Sequence, residues 1–316
     1  MIGRVTSQTI QRSTLANLQT NLSSVSKLQA QLSSGKKVTK ASDDPVHAAQ
    51  LMSLRGEQTR NGQYERNVQD AASWLNTIDS ALQTSSASLR RARDLVVQGG
   101  NTGLSQVAKT ALATEIRELK AGLLQTANTQ FLGRTVFAGT SAAGTAFYAE
   151  DQLTYDPANP LADADGNVVT AAKYTWTGNA DGTVERAVAD AADVRVDSNG
   201  KNVFGEGADS LFALLDTIAS TLESGGNPAD YLDQIDAFST DIRTELASVG
   251  ARQRTVENSV TRLSDSGLAL TTQVSGIEDI DLAQVILQLQ SQHVAYEASL
   301  GAAAKALTPS LMEFLR

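Results

Sequence analysis

Few side chains in this sequence are arranged to do chemistry. Its two histidines, His47 and His293, stand on separate helical segments. His293 falls on an apolar seam, where an imidazole is a core or interface residue more often than a ligand. There is no cysteine, so disulfides, zinc–thiolate sites and cysteine nucleophiles are impossible. "DADGN" at 163–167 carries the acids of a calcium loop, but Leu161 breaks the pattern and no Glu follows at the required distance. "GGNTG" and "GEGAD" lack both the spacing and the strand-to-helix setting of a dinucleotide loop. Two basic clusters occur, Lys36/Lys37/Lys40 and Arg90/Arg91/Arg93. Both are expected on solvated faces or at subunit contacts rather than around a phosphate. No nucleophile, base and orienting group can be assembled. The expectation is therefore no enzyme, no cofactor and no metal. One binding alternative rests on Tyr174 and Trp176, which could stack on a sugar if exposed. The plainer expectation is that one of them faces a small core.

The remaining composition describes a scaffold. The chain has 316 residues, 41% apolar and 19% charged, with aromatics at only 5%. That is ample for two or three folded domains, yet poor in the rings that fill one large core. A net charge of −9 argues against nucleic acid, which demands a basic face. No stretch has membrane-spanning length, so no membrane insertion is expected. The start, "MIGRVTSQTI", lacks the apolar region of a secretory signal.

Both ends are written for long helices. Leu15, Leu18, Leu22, Val25 and Leu32 follow the +3/+4 rhythm of a coiled-coil seam. Gly35 is placed to end that helix. The next begins at "SDDP", with Asp44 as N-cap, Pro45 as its first residue and Asp43 beside the positive end of its dipole. At the far end, Leu282, Ile286, Leu289, His293, Tyr296, Leu300, Ala303 and Leu307 keep a similar spacing. "SGIEDID" at 275–281 separates them from an earlier seam of Val256, Val260, Leu263, Leu270, Val274 and Ile277. Each end thus carries a helix of about 35 residues, on the order of 50 Å long. The two are expected to pair with each other, their breaks at one level.

Between the breaks, Val68, Ala71, Leu75, Ile78, Leu82, Leu89 and Val96 predict another helix, as do Leu112–Leu123, Leu211–Leu222 and Ile235–Leu246. From about 133 to 207 the period shortens to two and glycines multiply. "TVFAGT", "KYTWTG", "TVERAV" and "DVRVD" predict strands. "VRVDSNGKNVF" predicts a hairpin turning at Asn199-Gly200. The fold class expected is mainly α with a β insert. A coiled-coil-like bundle is formed by both ends, with a small β-rich domain in the middle. The expected division is 1–35 with 280–316, 36–138 with 208–279, and 139–207, the insert having its own apolar pattern.

"LSSGKKVTKASDDPVHAAQ" and "SGIEDIDLAQVILQLQSQHVAYEASLGAAAKALTPSLMEFLR" resemble the two ends of the flagellin superfamily. Within it, "SDDP", "GRTVFAGT" and "NVFGEGADSLFALLDTIASTLESG" resemble the hook-associated protein 3 branch, the hook–filament junction proteins. The resemblance spans roughly 1–140 and 200–316. It implies a structural subunit of the bacterial flagellum, self-assembling as a ring. Its partners would be the other junction protein on the hook side and flagellin on the filament side. It would leave the cell through the flagellar type III export apparatus, with an export chaperone and no cleaved signal, to an extracellular location. The alternative is flagellin itself, the bulk filament subunit. The residues expected to carry assembly are Leu15, Leu18, Leu22, Val25, Leu32, Lys36, Lys37, Asp43, Asp44, Pro45, Leu282, Ile286, Leu289, Tyr296, Leu300, Leu307 and Phe314.

Overall fold

The computed structural model describes residues 7–141, 143–150, 173–179 and 182–307. The order is α1 (Ser7–Ser34), α2 (Pro45–Gly99), α3 (Gln106–Ala127), β1 (Gln130–Phe131), β2 (Arg134–Thr135), β3 (Phe147–Glu150), β4 (Lys173–Trp176), β5 (Glu185–Ala189) and β6 (Ala192–Arg195). Then come α4 (Gly200–Phe204), α5 (Leu211–Glu223), a 3₁₀ turn (Pro228–Tyr231), α6 (Leu232–Glu278) and α7 (Leu282–Leu307). The fold is mainly α, with three antiparallel strand pairs among the described residues, β1–β2, β3–β4 and β5–β6, in the middle of the chain. The calcium-like segment lies outside the described residues.

The chain divides into two compact units. One comprises residues 1–61 and 265–316, the other 62–264. Helices α2 and α6, of 55 and 47 residues, contribute to both. No proline interrupts either helix beyond its first residue, so neither loses an interior hydrogen bond.

In the 62–264 unit, Trp74, Leu75, Ile78, Leu82 and Leu89 of α2 are buried with Ile116 and Leu123 of α3, Leu215 and Ile218 of α5, and Ile242 and Val249 of α6. Side-chain oxygens start the shorter helices. Ser105 accepts from the Ala108 amide at 3.3 Å, and Ser210 from Ala213 at 3.2 Å. Gly225, at φ +81°, turns α5 toward the 3₁₀ segment, which Asn227 caps.

The insert does not keep to itself. Phe147, Tyr174, Trp176, Val188 and Val194 belong to the same buried cluster as the helical residues. Phe204 and Phe212 pack on Phe147 with ring centroids 5.8 and 5.4 Å away. Asn128, ending α3, accepts from the amides of Ala146 and Phe147 and donates to the Phe147 carbonyl, a side chain taking the place of a neighbouring strand. Asp197, 1% exposed, accepts from the Val184 amide at 2.8 Å and from Arg195 at 3.0 Å. Its carbonyl accepts from Arg252 of α6 at 2.6 Å. Separate apolar patterns for insert and helices are thus corrected. A two-stranded pair cannot bury two faces alone, so these strands use the helices as their other layer.

Two local expectations also change. Asn199-Gly200 is not a hairpin turn. The Asn199 side chain accepts from the Lys201 amide at 3.0 Å and starts α4. The hairpin lies earlier, β5 to β6 through Asp190 and Ala191. Within "TVFAGT" only Thr135 is in a strand. Val136 and Phe137 are fully buried turn residues and Ala138, also fully buried, makes a single antiparallel bridge with Asn199, which gives the segment a strand-like apolar signature.

Candidate functional site

The 1–61/265–316 unit places the two chain breaks against each other. Helix α1 ends as its pattern predicts. Gly35, at φ +70°, donates to the Gln31 carbonyl at 2.8 Å. Lys36 then forms an antiparallel bridge with Asp279. The Lys37 amide donates to the Glu278 carbonyl at 2.6 Å, and the Ile280 amide to the Gly35 carbonyl at 3.1 Å. Gln31 reaches forward to the Lys37 carbonyl at 3.0 Å. The far break is Asp279–Asp281, not Gly276, which remains inside α6.

Glu278 anchors the bridge from beneath. Its side chain is 6% exposed, and one carboxylate oxygen takes the Lys36 ammonium at 2.5 Å and the Arg55 guanidinium at 2.7 Å. The Lys36 hydrogen bond above all, then Arg55 and both charges, holds this carboxyl below its ordinary 4.5 despite burial.

The loop to α2 is closed by its own acids. Asp43 accepts from the Thr39 hydroxyl at 2.9 Å and the Lys40 amide at 3.1 Å, with Lys27 at 3.7 Å. Those hydrogen bonds lower its pKa. Asp44 accepts from the His47 amide at 3.1 Å and meets His47 Nδ1 at 2.5 Å, which lowers its pKa too. Pro45 is the exposed first residue of α2. Asp281 caps α7 through the Gln284 amide at 3.2 Å.

Helices α1 and α7 run antiparallel from this joint. Their contact seam is built of Leu18, Asn21, Val25, Leu28 and Leu32 against Val285, Leu289, Gln292, Tyr296, Ser299 and Ala303, all buried or half-buried. One layer is polar. Asn21 donates to Ser299 at 3.0 Å and accepts from Gln292 at 3.2 Å. Six expected seam residues are not in it. Leu15 and Leu22 are 58% and 53% exposed, Leu282 55%, and Ile286 and Leu300 lie on the surface with them. His293 is exposed too, beside Glu297 at 3.3 Å. The reason is that both helices carry a second apolar stripe. Leu15 and Leu22 share one spacing of seven, and Leu18, Val25 and Leu32 another. The +3/+4 pattern merged the two. Lys36 and Lys37 are exposed, Leu307 closes α7, and Phe314 lies outside the described residues.

Two models of known families match this chain, the bacterial flagellin N-terminal helical region over residues 5–142 and the C-terminal helical region over 232–315. The chain belongs to the bacterial flagellin family. It is 29% identical to a flagellin of Bacillus subtilis over 90% of each chain. It is 27% identical to flagellar hook-associated protein 3 of Escherichia coli, covering 85% of this chain and 86% of that one. Its fold matches a flagellar hook-associated protein from Vibrio parahaemolyticus at a TM-score of 0.62 and 18% identity, over 75% of this chain and all of the other. It also matches hook-associated protein 3 of Legionella pneumophila at 0.59 and 15%, over 72% and 98%. Flagellins and hook-associated proteins are structural flagellar proteins, and this chain is one of them rather than an enzyme.

For a flagellin-family chain, the informative side chains are those the motifs did not flag. Glu278 and Arg55 complete the joint. Glu278 falls four residues after Val274, on the α6 seam, and an acid at an apolar slot was the available signal. Arg55 carried none. The sugar-stacking alternative loses its surface. Tyr174 and Trp176 are 2% and 7% exposed, and the Trp176 indole donates to the Phe137 carbonyl at 2.9 Å. The Tyr174 hydroxyl donates to Asp216, which also takes Lys120, each at 2.6 Å.

Proposed function

We propose that this chain is the subunit of the junction between the flagellar hook and the flagellin filament. The observation that carries this reading is the pairing of the two chain ends. Their helices are clipped at the Lys36–Asp279 bridge, while Leu15, Leu22, Leu282, Leu287 and Val294 present apolar surface that the single chain leaves uncovered. Such a stripe suits further helices from neighbouring copies. In this reading α1 and α7 form the innermost layer of a ring. The loop of Lys36, Lys37, Asp43, Asp44 and Pro45 is its joint to the layer outside, and the insert faces outward. The chain leaves the cell unfolded through the flagellum's own export channel, escorted by a chaperone. It then contacts the second junction protein on the hook side and flagellin on the filament side. Likeness to hook-associated protein 3 over most of both chains supports the assignment.

Deleting the gene should leave hooks without filaments and release unpolymerised flagellin into the medium. A deletion strain that still builds full filaments overturns the reading. Similarity to Bacillus flagellin over 90% of both chains favours a second reading, the bulk filament subunit. Electron microscopy separates them. Purified protein added to flagellar seeds should add a short segment, whereas a bulk subunit grows long filaments.

A further inference from the structure

A groove of about 340 Å³ opens between α2 and α6, lined by Arg90 and Arg93 on one helix and Asp236, Ser239, Thr240 and Arg243 on the other. Arg93 is committed, donating through Nε and Nη2 to the two carboxylate oxygens of Asp236 at 2.7 and 3.2 Å. Arg90 has no ion pair or hydrogen bond with any described residue, and Arg243 acts only through its charge on the Asp236 that Arg93 already holds. Ser239 is only 8% exposed, yet its hydroxyl too has no partner among the described residues. Two exposed guanidinium groups without a hydrogen-bonded partner among the described residues, beside the Ser239 hydroxyl, leave this concavity rich in donors. A carboxylate fits them, taken in the fork geometry of arginine.

Resting on the assembly reading above, we infer that this groove receives the Glu118 carboxylate of a second copy of the chain. Glu118 is exposed on α3 and has no ion pair among the described residues, whereas its neighbour Glu115 is held by Arg91 at 2.6 Å. Its surroundings, Ala111, Thr114, Ala121 and Gly122, are exposed and small, so a groove rim can approach closely. The chain's 35 acids against 26 bases make another copy a predominantly anionic partner. Arg91 ties α2 to α3 and Arg93 ties α2 to α6, so groove and carboxylate belong to different faces. A contact of that kind is head-to-tail and generates a ring or a helix rather than a closed pair.

The absence of cysteine makes the test clean. A chain carrying both Arg243→Cys and Glu118→Cys replaces the native one, and flagella are purified and treated with a short bismaleimide. The expected result is a ladder of cross-linked dimers and higher multiples, absent from either single-cysteine chain. In parallel, Arg243→Glu should shrink the swimming halo severalfold, and adding Glu118→Arg should restore it, with melting temperatures unchanged because both sites are exposed. No ladder from flagella that contain the chain, or no rescue by the charge swap, overturns the contact and leaves the junction reading standing. Flagella that lack the chain overturn both.

Discussion

Glu278 concentrates the chemistry of this molecule in one carboxylate. Its folded pKa lies below its ordinary value of 4.5, so its contribution is complete above that value and is lost as pH falls through the folded one. The amides of Lys37 and Ile280, which hold the bridge, should be strongly protected at pH 7 relative to the exchange rate of an unfolded chain, and should lose that protection as pH falls below 4.5 through the folded value. Glu278→Gln should exchange faster at pH 7 and lose most of that pH dependence, a difference that isolates Glu278 from Asp43 and Asp44. An unchanged profile would show the backbone bonds alone to be sufficient. Asp197 is the counterpart in the other unit. Asp197→Ala leaves the buried Val184 amide without its acceptor and frees Arg195, at about 1–3 kcal/mol for the stranded group. Thermal melting should drop by several degrees without loss of the helical far-ultraviolet signal. Residue chemistry was unevenly legible. Capping by Asp44 and Asp281 is local, and local bonds can be read from neighbours in sequence. Glu278, Lys36 and Arg55 are joined across more than 200 residues, and nothing in the spacing announces that.

The helices were legible as elements because long amphipathic repeats over-determine them. Their seams were less so. A helix with two apolar stripes satisfies a +3/+4 count in more than one phase, and only the partner decides which stripe is covered. Asn21 then matters, since a polar layer fixes register at some cost in stability. Asn21→Leu should raise the melting temperature of the α1/α7 pair. In a chain carrying cysteines at Val25 and Tyr296 it should also broaden the distribution of distances between labels in pulsed spin resonance. A single sharp distance would mean that register is set by the joint alone. The strands were only partly legible, because buried turns such as Val136 and Phe137 mimic strand composition. Replacing residues 141–203 with a Gly/Ser linker removes Phe147, Trp176 and Val194 from the shared core. Losing a buried Phe or Trp costs about 3–5 kcal/mol, and a domain commands only about 5–15 in all. The deletion should abolish cooperative melting rather than leave the helices intact. A sharp transition in that variant would restore the view of an independent insert.

At the scale of the molecule, fold class was legible throughout and the boundaries were not. The breaks at Gly35 and Asp279 look like borders in sequence, but both lie inside one unit, whose limits at 61/62 and 264/265 fall within continuous helices. A periodic pattern that runs on unbroken gives no sign of such a limit. A fragment of residues 62–264 contains the whole of the aromatic cluster and should melt cooperatively by circular dichroism. Non-cooperative melting would show that the terminal unit is required for that core. The clipped joint also determines how the terminal unit yields to load. Because α1 and α7 are antiparallel, Ser7 and Leu307 lie at the same end of the pair, away from Gly35 and Ile280. Tension applied between the two termini therefore peels the seam one layer at a time, at low force. It reaches Lys36, Arg55 and Glu278 only when everything beyond them is open. The joint acts as a rip-stop. In an optical trap the extension trace should show a long shallow ramp followed by one abrupt break, and Glu278→Gln should lower that break while leaving the ramp unchanged.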